Sequence, residues 1–345
     1  MTHNRHGEAL KIFAQGTFIP AIPLALDARR RYDEAAQRRL LRYYLEAGVG
    51  GIAIGVHTTQ FQIRDPGIAL LAPVLATARD EIDRYEAETG QVIVRVAGAC
   101  GPAEQAVSEA RLARSLGYDA VLLSPGGLTE LSEEGHLDRA RAVAEILPVI
   151  GFYLQTAVGG RAFSYGYWRR LCEIDNVIGV KCASFDRYST IDVVRAAAMA
   201  TRNVALYTGN DDNIVIDLLT PYQFTVDGKT IEKRFIGGLL GHWSVCTRAA
   251  AGIFNRLRRA ANEPRISREL LRLAAEVTDF NAAVFDAKNN FAGCIPGVHE
   301  VLRRQGLLEG IWCLDPQETL SPGQAAEIGR VMAMYPYLCD QEAVS

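Results

Sequence analysis

The chain has 345 residues, of which 49% are hydrophobic and 22% are charged, and its formal net charge is −3 at pH 7. This composition is typical of a globular protein with a sizeable core, and the slight negative charge argues against nucleic acid or an acidic membrane surface as its main partner. We find neither an apolar run of about 20 residues nor an apolar leader after the polar N-terminus, so we expect a cytoplasmic protein that does not bind membranes.

Short apolar runs alternate with amphipathic helical stretches along most of the chain. We predict eight strands, at residues 18–26, 50–56, 91–99, 118–125, 147–155, 176–183, 204–209 and 235–244. Several of these runs are apolar throughout, as expected for parallel strands covered by helices. Eight such units over about 250 residues predict an α/β fold of the (β/α)8 TIM-barrel type. An open doubly wound sheet is the alternative, although no G-x-G-x-x-G follows the first strand.

The sequence pattern changes towards the end of the chain. Strand patterns stop near residue 262, which predicts a barrel domain over residues 1–261 and a C-terminal helical extension over residues 262–345. The polar stretch 221–235 is longer than an ordinary barrel loop, so we expect an inserted hairpin or flap before the last strand.

The cysteines and histidines do not form a metal-binding pattern. The seven cysteines are scattered without any C-x-x-C, and the six histidines show no H-x-H or H-x-x-x-H spacing. We therefore expect reduced thiols and no metal.

A lysine stands near the end of the sixth predicted strand, in "NVIGVKCASFD". Only five of the 37 basic residues are lysines, so a lysine in an apolar strand is notable. Strand alternation places Lys181 on the face that carries Gly179, near the carboxyl end where barrel enzymes have their active sites. A lysine there is either a partly desolvated nucleophile for carbonyl compounds or a side chain that extends to solvent.

The fifth strand offers a partner for this lysine. The same alternation groups Tyr153 with Val149 and Gly151, which predicts that Tyr153 faces the barrel interior next to Lys181. A phenol there could move the protons that imine formation requires, or it could simply pack.

Together "GFYLQTAVGG" and "NVIGVKCASFD" resemble the dihydrodipicolinate synthase / N-acetylneuraminate lyase family, in which a strand-borne tyrosine precedes a Schiff-base lysine. The interval of 28 residues from Tyr153 to Lys181 agrees with the family's spacing. "YTGNDDN" and "GGLLGHWSV" are similar to the ends of its seventh and eighth strands. The resemblance implies an oligomeric barrel, a dimer or tetramer, that acts on pyruvate or a related 2-oxo acid and an aldehyde without a cofactor.

The resemblance also implies roles for single residues. Lys181 would form the imine, and Tyr153 would relay protons. Thr58 and Thr59 would bind the carboxylate through hydroxyl and N–H groups. However, His57 is inserted in the loop that carries the family's hydroxyl pair. In a second possible alignment, Val56 and His57 would occupy the positions of that pair. The remaining candidates for substrate binding, at the ends of the seventh and eighth strands, are Gly209 and Trp243.

Two departures from the family concern the second substrate. Gly126 and Gly127 stand where the synthases carry the aromatic pair after the fourth strand, and Val158 stands where they carry an arginine. Arg161 follows three residues later and could substitute for it. We therefore predict a Schiff-base lyase whose second substrate is not aspartate semialdehyde. The alternatives are a true dihydrodipicolinate synthase with a rearranged proton relay and a non-catalytic protein that binds 2-oxo acids.

Overall fold

The computed structural model describes residues 4–340. Residues 1–3 and 341–345 lie outside the described part, so the outer ends of the two predicted domains are not covered. Within residues 4–340, no helix is both long enough and apolar enough to cross a membrane.

Ten strands and twelve α-helices form within residues 4–340. The strands are β1 Phe18–Pro20, β2 Gly51–Ile54, β3 Val94–Ala99, β4 Ala120–Leu123, β5 Val149–Leu154, β6 Val177–Ala183, β7 Ala205–Thr208, β8 Tyr222–Val226, β9 Lys229–Lys233 and β10 Phe235–Leu240. The helices are α1 Arg5–Gln15, α2 Glu34–Glu46, α3 Leu71–Thr89, α4 Ala103–Ser115, α5 Glu133–Ala144, α6 Tyr165–Cys172, α7 Arg187–Ala198, α8 Ile214–Leu219, α9 Thr247–Ala260, α10 Arg268–Val284, α11 Cys294–Arg304 and α12 Gln324–Met334.

The eight predicted barrel strands are all present, each shorter than its apolar run. They follow one another in the order β1-β10-β7-β6-β5-β4-β3-β2. A parallel bridge between Ala21 and Ala53 joins the first strand to the second. This succession of parallel strands, with helices between them, confirms the (β/α)8 barrel and excludes the doubly wound alternative.

The polar stretch before the last barrel strand forms the expected hairpin. Strands β8 and β9 pair antiparallel, from Tyr222 opposite Lys233 to Val226 opposite Lys229. The two connecting residues, Asp227 and Gly228, have φ angles of 51° and 76°. An Asp-Gly pair with both φ angles positive suits a two-residue hairpin turn, which explains the register.

The chain divides into two compact units. Unit 1 comprises residues 1–17 and 94–239, and unit 2 comprises residues 18–93 and 240–345. Strands β3 to β7 and the hairpin lie in unit 1, whereas β1, β2 and the C-terminal helices lie in unit 2. This division differs from a boundary at residue 262, which stays a prediction of the sequence alone.

Helix α1 was not predicted, because its sequence is largely polar. Asn4 caps the helix by accepting a hydrogen bond from the N–H of Gly7 at 3.0 Å. The ring of Phe13 stacks on Tyr207 of β7 with centroids 4.4 Å apart. A Cβ added at Gly179 of β6 would lie 2.9 Å from Cζ of Phe13, so the helix packs closely against the strands. Helix α1 thus covers the part of unit 1 that precedes Lys181 along β6.

Candidate active site

Lys181 lies in the second half of β6 and its residue is only 8% exposed. Its Nζ atom lies 4.4 Å from the ring centroid of Phe152 on the neighbouring strand β5. Burial lowers the pKa of Lys181 to about 8, and the negative charge of Asp211 opposes this shift. Because the free amine is the form that attacks a carbonyl carbon, this environment makes Lys181 a better nucleophile near neutral pH than an exposed lysine.

Gly209 follows β7 and lies directly against the lysine side chain. A Cβ at this position would come within 2.6 Å of Cε of Lys181 and 2.9 Å of Cβ of Ala183. Its N–H donates to the carbonyl oxygen of Cys182 at 2.7 Å, which fixes it beside β6. The structure shows that Gly209 makes room for the side chain of Lys181, and its predicted role in substrate binding stays a prediction.

Tyr153 does not share a face with Lys181, so its predicted placement is wrong. Strand β5 begins in register with β6, Val149 opposite Val177, but the next pair is Ile150 opposite Gly179. This irregularity adds one residue to β6, and a slip of one residue reverses which side chains share a face. Phe152 is consequently the residue opposite Lys181, and Tyr153 is opposite Cys182.

The ring of Tyr153 packs instead among the helices that cover the strands. It stacks on Trp168 of α6, with ring centroids 5.3 Å apart and an interplanar angle of 21°. It also meets Phe163 edge-on, with ring centroids 6.5 Å apart. Burial raises the pKa of Tyr153, and a hydrogen bond with Ser189 of α7 partly offsets that rise. Gly151 faces the same layer, since a Cβ there would contact Leu171 of α6 at 2.6 Å.

A buried polar network follows β7. Asp217 of α8 is fully buried and accepts hydrogen bonds from Thr208 Oγ1 at 2.7 Å and from Asn210 Nδ2 at 2.9 Å. Arg187 of α7 donates to the same carboxylate at 2.7 Å. Asn210 also accepts from the N–H of Phe185 at 3.0 Å. These bonds tie the loops after β6 and β7 together and so fix the backbone on both sides of Lys181.

The predicted carboxylate-binding threonines lie in unit 2, in the turn after β2, and both are buried. Thr58 Oγ1 donates to the carbonyl oxygen of Ala21 at 2.8 Å, and Thr59 Oγ1 donates to that of Ile22 at 2.7 Å. Thr59 Oγ1 also accepts from the N–H of Gly55 at 3.0 Å. A hydroxyl has one proton to donate, and both threonine hydroxyls already donate theirs to carbonyl oxygens. A carboxylate bound at this turn would therefore accept hydrogen bonds mainly from backbone N–H groups.

The neighbouring positions of this turn also have partners inside unit 2. The ring of His57 lies 5.7 Å from that of Phe61. Gln60 adopts a φ of 68°, and its side-chain oxygen accepts from the N–H of Leu314 at 2.6 Å. His57 is partly exposed, and its role in substrate binding stays a prediction.

Trp243 is a core residue of unit 2. It is 2% exposed, and its ring stacks on Phe18 at 4.0 Å and meets Phe254 edge-on at 5.2 Å. The sequence left pocket wall and packing open, and we predicted substrate binding. The indole of Trp243 therefore packs in the aromatic core of unit 2, and its predicted role in substrate binding stays a prediction.

Arg161 was the candidate replacement for the family's arginine. Its guanidinium donates to the carbonyl oxygens of Thr129, at 3.3 Å, and Leu131, and it lies 5.1 Å from the ring of Phe163. These contacts show an arginine that holds the loop after β4 in place.

Comparison with known proteins identifies the family. Residues 15–221 match the model of the dihydrodipicolinate synthetase family. A 4-hydroxy-tetrahydrodipicolinate synthase of Laribacter hongkongensis is 29% identical over 186 residues, covering 52% of this chain and 58% of that protein. N-acetylneuraminate lyase 2 of Escherichia coli O6:H1 is 25% identical over 198 residues, covering 56% of this chain and 60% of the relative.

A solved structure extends the likeness in fold to most of the chain. A prophage protein of the dihydrodipicolinic acid synthase family from Escherichia coli K12, crystallised with pyruvate, superposes with a TM-score of 0.75 at 16% identity. That match covers 94% of this chain and 99% of the other. The sequence matches span about three fifths of the length of the two curated relatives. Since the family model covers more than half of the chain, the chain belongs to the dihydrodipicolinate synthetase family.

Proposed function

We propose that this protein is a Schiff-base lyase of the class I aldolase type, which acts on pyruvate or a related 2-oxo acid and uses an aldehyde as second substrate or product. The observation that carries the proposal is the buried Lys181 at the end of a barrel strand, with a pKa lowered to about 8. Its amine would attack the ketone carbon, and loss of water would give an imine. The imine withdraws electrons from the adjacent carbon, which can then form or break a carbon–carbon bond as an enamine.

Family membership supports this chemistry, because the two curated relatives named above are a synthase and a lyase. Pyruvate is the ligand named for the E. coli K12 protein of similar fold, which makes it the first oxo acid to test. A homo-oligomer, dimer or tetramer, is part of the same proposal, and light scattering after size exclusion would measure it.

The decisive experiment traps the imine. The protein is incubated with pyruvate and a panel of other 2-oxo acids, reduced with borohydride and examined by peptide mass spectrometry. We expect a secondary amine on Lys181 and its loss in Lys181→Ala. Lys11→Ala is the matched control, because Lys11 lies on the exposed side of α1 with 73% of its side chain accessible, and it should trap like the wild type. Absence of an adduct with every oxo acid would refute the proposal.

The pH dependence of trapping provides a second readout of the same residue. Only the neutral amine attacks, so at low pyruvate concentration the rate should rise with pH and level off above a midpoint near the pKa of Lys181, about 8. A midpoint above pH 10 would show an exposed lysine and would contradict the buried site.

A second function is favoured by one observation. The aromatic ring opposite Lys181 is that of Phe152, which has no hydroxyl, whereas the phenol of Tyr153 lies on the other face of β5. A protein that forms or binds the imine without turnover would fit this arrangement. Thermal stabilisation by pyruvate, with trapping but no consumption of any aldehyde in the panel, aspartate semialdehyde included, would select this function over the lyase.

A further inference from the structure

Asp340, at the end of the described chain, is bound to the first turn of α9. Its Oδ1 atom accepts a hydrogen bond from the N–H of Ala249 at 2.9 Å, so this carboxylate caps the helix. The hydroxyl of Tyr43 donates to Asp340 Oδ2 and accepts from the N–H of Thr247 at 2.8 Å. These residues all belong to unit 2, and their hydrogen bonds fix the end of the chain beside the start of α9.

Two cysteines meet at this contact. Cys246 directly precedes α9 and is fully buried, and its N–H donates to Gln305 Oε1 at 3.1 Å. Cys339 directly precedes Asp340 and is partly exposed. The thiols of Cys246 and Cys339 are hydrogen-bonded to each other, and the sulfur of Cys246 also accepts from the backbone N–H of Asp340. Both thiols are free, so the structure brings together a pair of cysteines that lie far apart in the sequence.

The two thiols differ in acidity and in access to solvent. The hydrogen bond from Cys246 stabilises the thiolate of Cys339 and lowers the pKa of Cys339 from its ordinary value. The pKa of Cys246 is raised, because its thiol donates that bond and because it is buried. Burial also raises the pKa of Cys172 and of Cys313, in each case to about 12. Since the thiolate is the form that oxidants attack, Cys339 is the more reactive member of the pair.

We propose that Cys339 is a peroxide-reactive cysteine and that Cys246 is its resolving cysteine, so that hydrogen peroxide converts the pair reversibly into a disulfide. This inference does not depend on the Schiff-base chemistry of Lys181. An accessible thiolate next to a second thiol is the arrangement typical of redox-sensing cysteines. The sequence predicts reduced thiols, and a disulfide that forms only during oxidation is compatible with that prediction.

The reaction has two steps. The thiolate sulfur of Cys339 attacks one oxygen of hydrogen peroxide, so that an S–O bond forms and the O–O bond breaks. The hydroxide that leaves takes up the proton of that thiol and becomes water, and Cys339 is left as a sulfenic acid. The sulfur of Cys246 then attacks the sulfur of Cys339, the S–S bond forms and the S–O bond breaks. The second hydroxide takes the proton of Cys246, so two thiols and one peroxide give one disulfide and two waters.

The disulfide would join the end of the chain to the helix that follows the last barrel strand. It would close a loop of about 90 residues that contains α9 to α12. Closing a loop of this length restricts the unfolded chain and should raise Tm by roughly 5 °C in a protein of 345 residues. The oxidised protein should therefore unfold at a higher temperature than the reduced protein.

The test treats the full-length protein in native buffer with a small excess of hydrogen peroxide, blocks the remaining thiols and identifies linked peptides by mass spectrometry. We expect a disulfide between Cys246 and Cys339 of the same chain, a higher Tm, and reversal of both by dithiothreitol. Cys294→Ser is the matched control, because Cys294 is also partly exposed. This variant should form the disulfide and show the same rise in Tm as the wild type.

Two variants separate the roles of the cysteines. In Cys246→Ser, Cys339 should stop at the sulfenic acid, which dimedone labels, whereas Cys339→Ser should give no label on Cys246 and no change in Tm. If Cys246→Ser does not fold, dimedone added to the wild type decides the question, since it should label Cys339 and lower the yield of disulfide.

Four results would overturn the inference. They are oxidation of Cys339 beyond the sulfenic acid without any disulfide, faster oxidation of Cys294 than of Cys339, a disulfide between two chains, and a lower Tm after oxidation. The last result would show that the disulfide forms only when the contacts of Asp340 with α9 break. Each of these outcomes leaves imine trapping on Lys181 unaffected, so the two proposals are tested separately.

Discussion

The buried amine of Lys181 should destabilise the folded protein, and the replacement Lys181→Met measures by how much. Methionine keeps an unbranched side chain of similar length and removes the charge. Burial lowers the pKa of Lys181 from 10.5 to about 8. At 1.36 kcal/mol for each pKa unit, the charged amine costs about 3 kcal/mol at pH 7. We therefore expect Lys181→Met to be more stable than the wild type by about that amount at pH 7.

The sign of the pH dependence follows from which state binds more protons. Between pH 8 and pH 10.5 the unfolded chain holds a proton on this amine and the folded chain does not, so wild-type stability rises with pH across this window. The cost is fully present below pH 8 and has disappeared above pH 10.5. The advantage of Lys181→Met should accordingly shrink from about 3 kcal/mol at pH 7 towards zero at pH 10.5.

Thermal unfolding is a suitable assay. With an unfolding entropy of about 2 cal/mol/K per residue, 3 kcal/mol in a chain of 345 residues corresponds to roughly 4 °C in Tm. Lys11→Met serves as the control, since that side chain is exposed and its replacement should shift Tm by much less. If Lys181→Met is no more stable at pH 7, or if its advantage is the same at pH 7 and pH 10, the lysine is not buried as described.

Three further replacements test the surroundings of the lysine. Gly209→Ala should lower the rate of trapping with pyruvate at least tenfold, because the new Cβ would displace the Lys181 side chain; Gly252→Ala, where a Cβ meets open space, should have no effect. Asp217→Asn should lower Tm by roughly 4 °C, because it removes the charge of a fully buried carboxylate that accepts hydrogen bonds from Thr208, Asn210 and Arg187, a loss of about 3 kcal/mol. A shift under 1 °C would contradict the polar network. Phe152→Leu removes the ring that faces the ammonium group of Lys181, an interaction of about 1 kcal/mol. Because this ring favours the charged amine, its loss should move the midpoint of the trapping profile to lower pH by less than one unit. A move to higher pH would refute that contribution.

Short apolar runs predicted the barrel strands well, because parallel strands that are buried on both faces are apolar throughout. The inserted hairpin could also be predicted, since its Asp227–Gly228 turn has a strong local signature. Helix α1 was missed because it is held by a few long-range contacts, such as that between Phe13 and Tyr207, and not by a marked apolar pattern.

The candidate site was predicted only in part, and the bulge in β6 is the reason. Alternation is reliable within one strand, so Lys181 was placed on the correct face relative to Gly179. Which residue of β5 lies opposite Lys181 depends on the register of the two strands. Because β6 contains one extra residue, Phe152 lies opposite Lys181, where alternation had predicted Tyr153. A spacing of 28 residues agreed with the family, but spacing along the chain does not record a bulge. The hydrogen bonds of Thr58 and Thr59 to the carbonyl oxygens of Ala21 and Ile22, just after β1, could not be predicted from the sequence either.

The scarcity of lysine in this chain supports a chemical role for Lys181. The chain uses arginine for nearly all of its basic positions, and a guanidinium stays protonated at any pH a protein tolerates. Arginine could serve as a buried cation, but it could never supply a neutral amine. A lysine that only filled space on β6 would destabilise the fold, whereas methionine or leucine would fill a similar volume without a buried charge. The position combines a destabilising charge, a pKa near 8 and a glycine that leaves room for the side chain, which is the combination expected where the amine itself reacts.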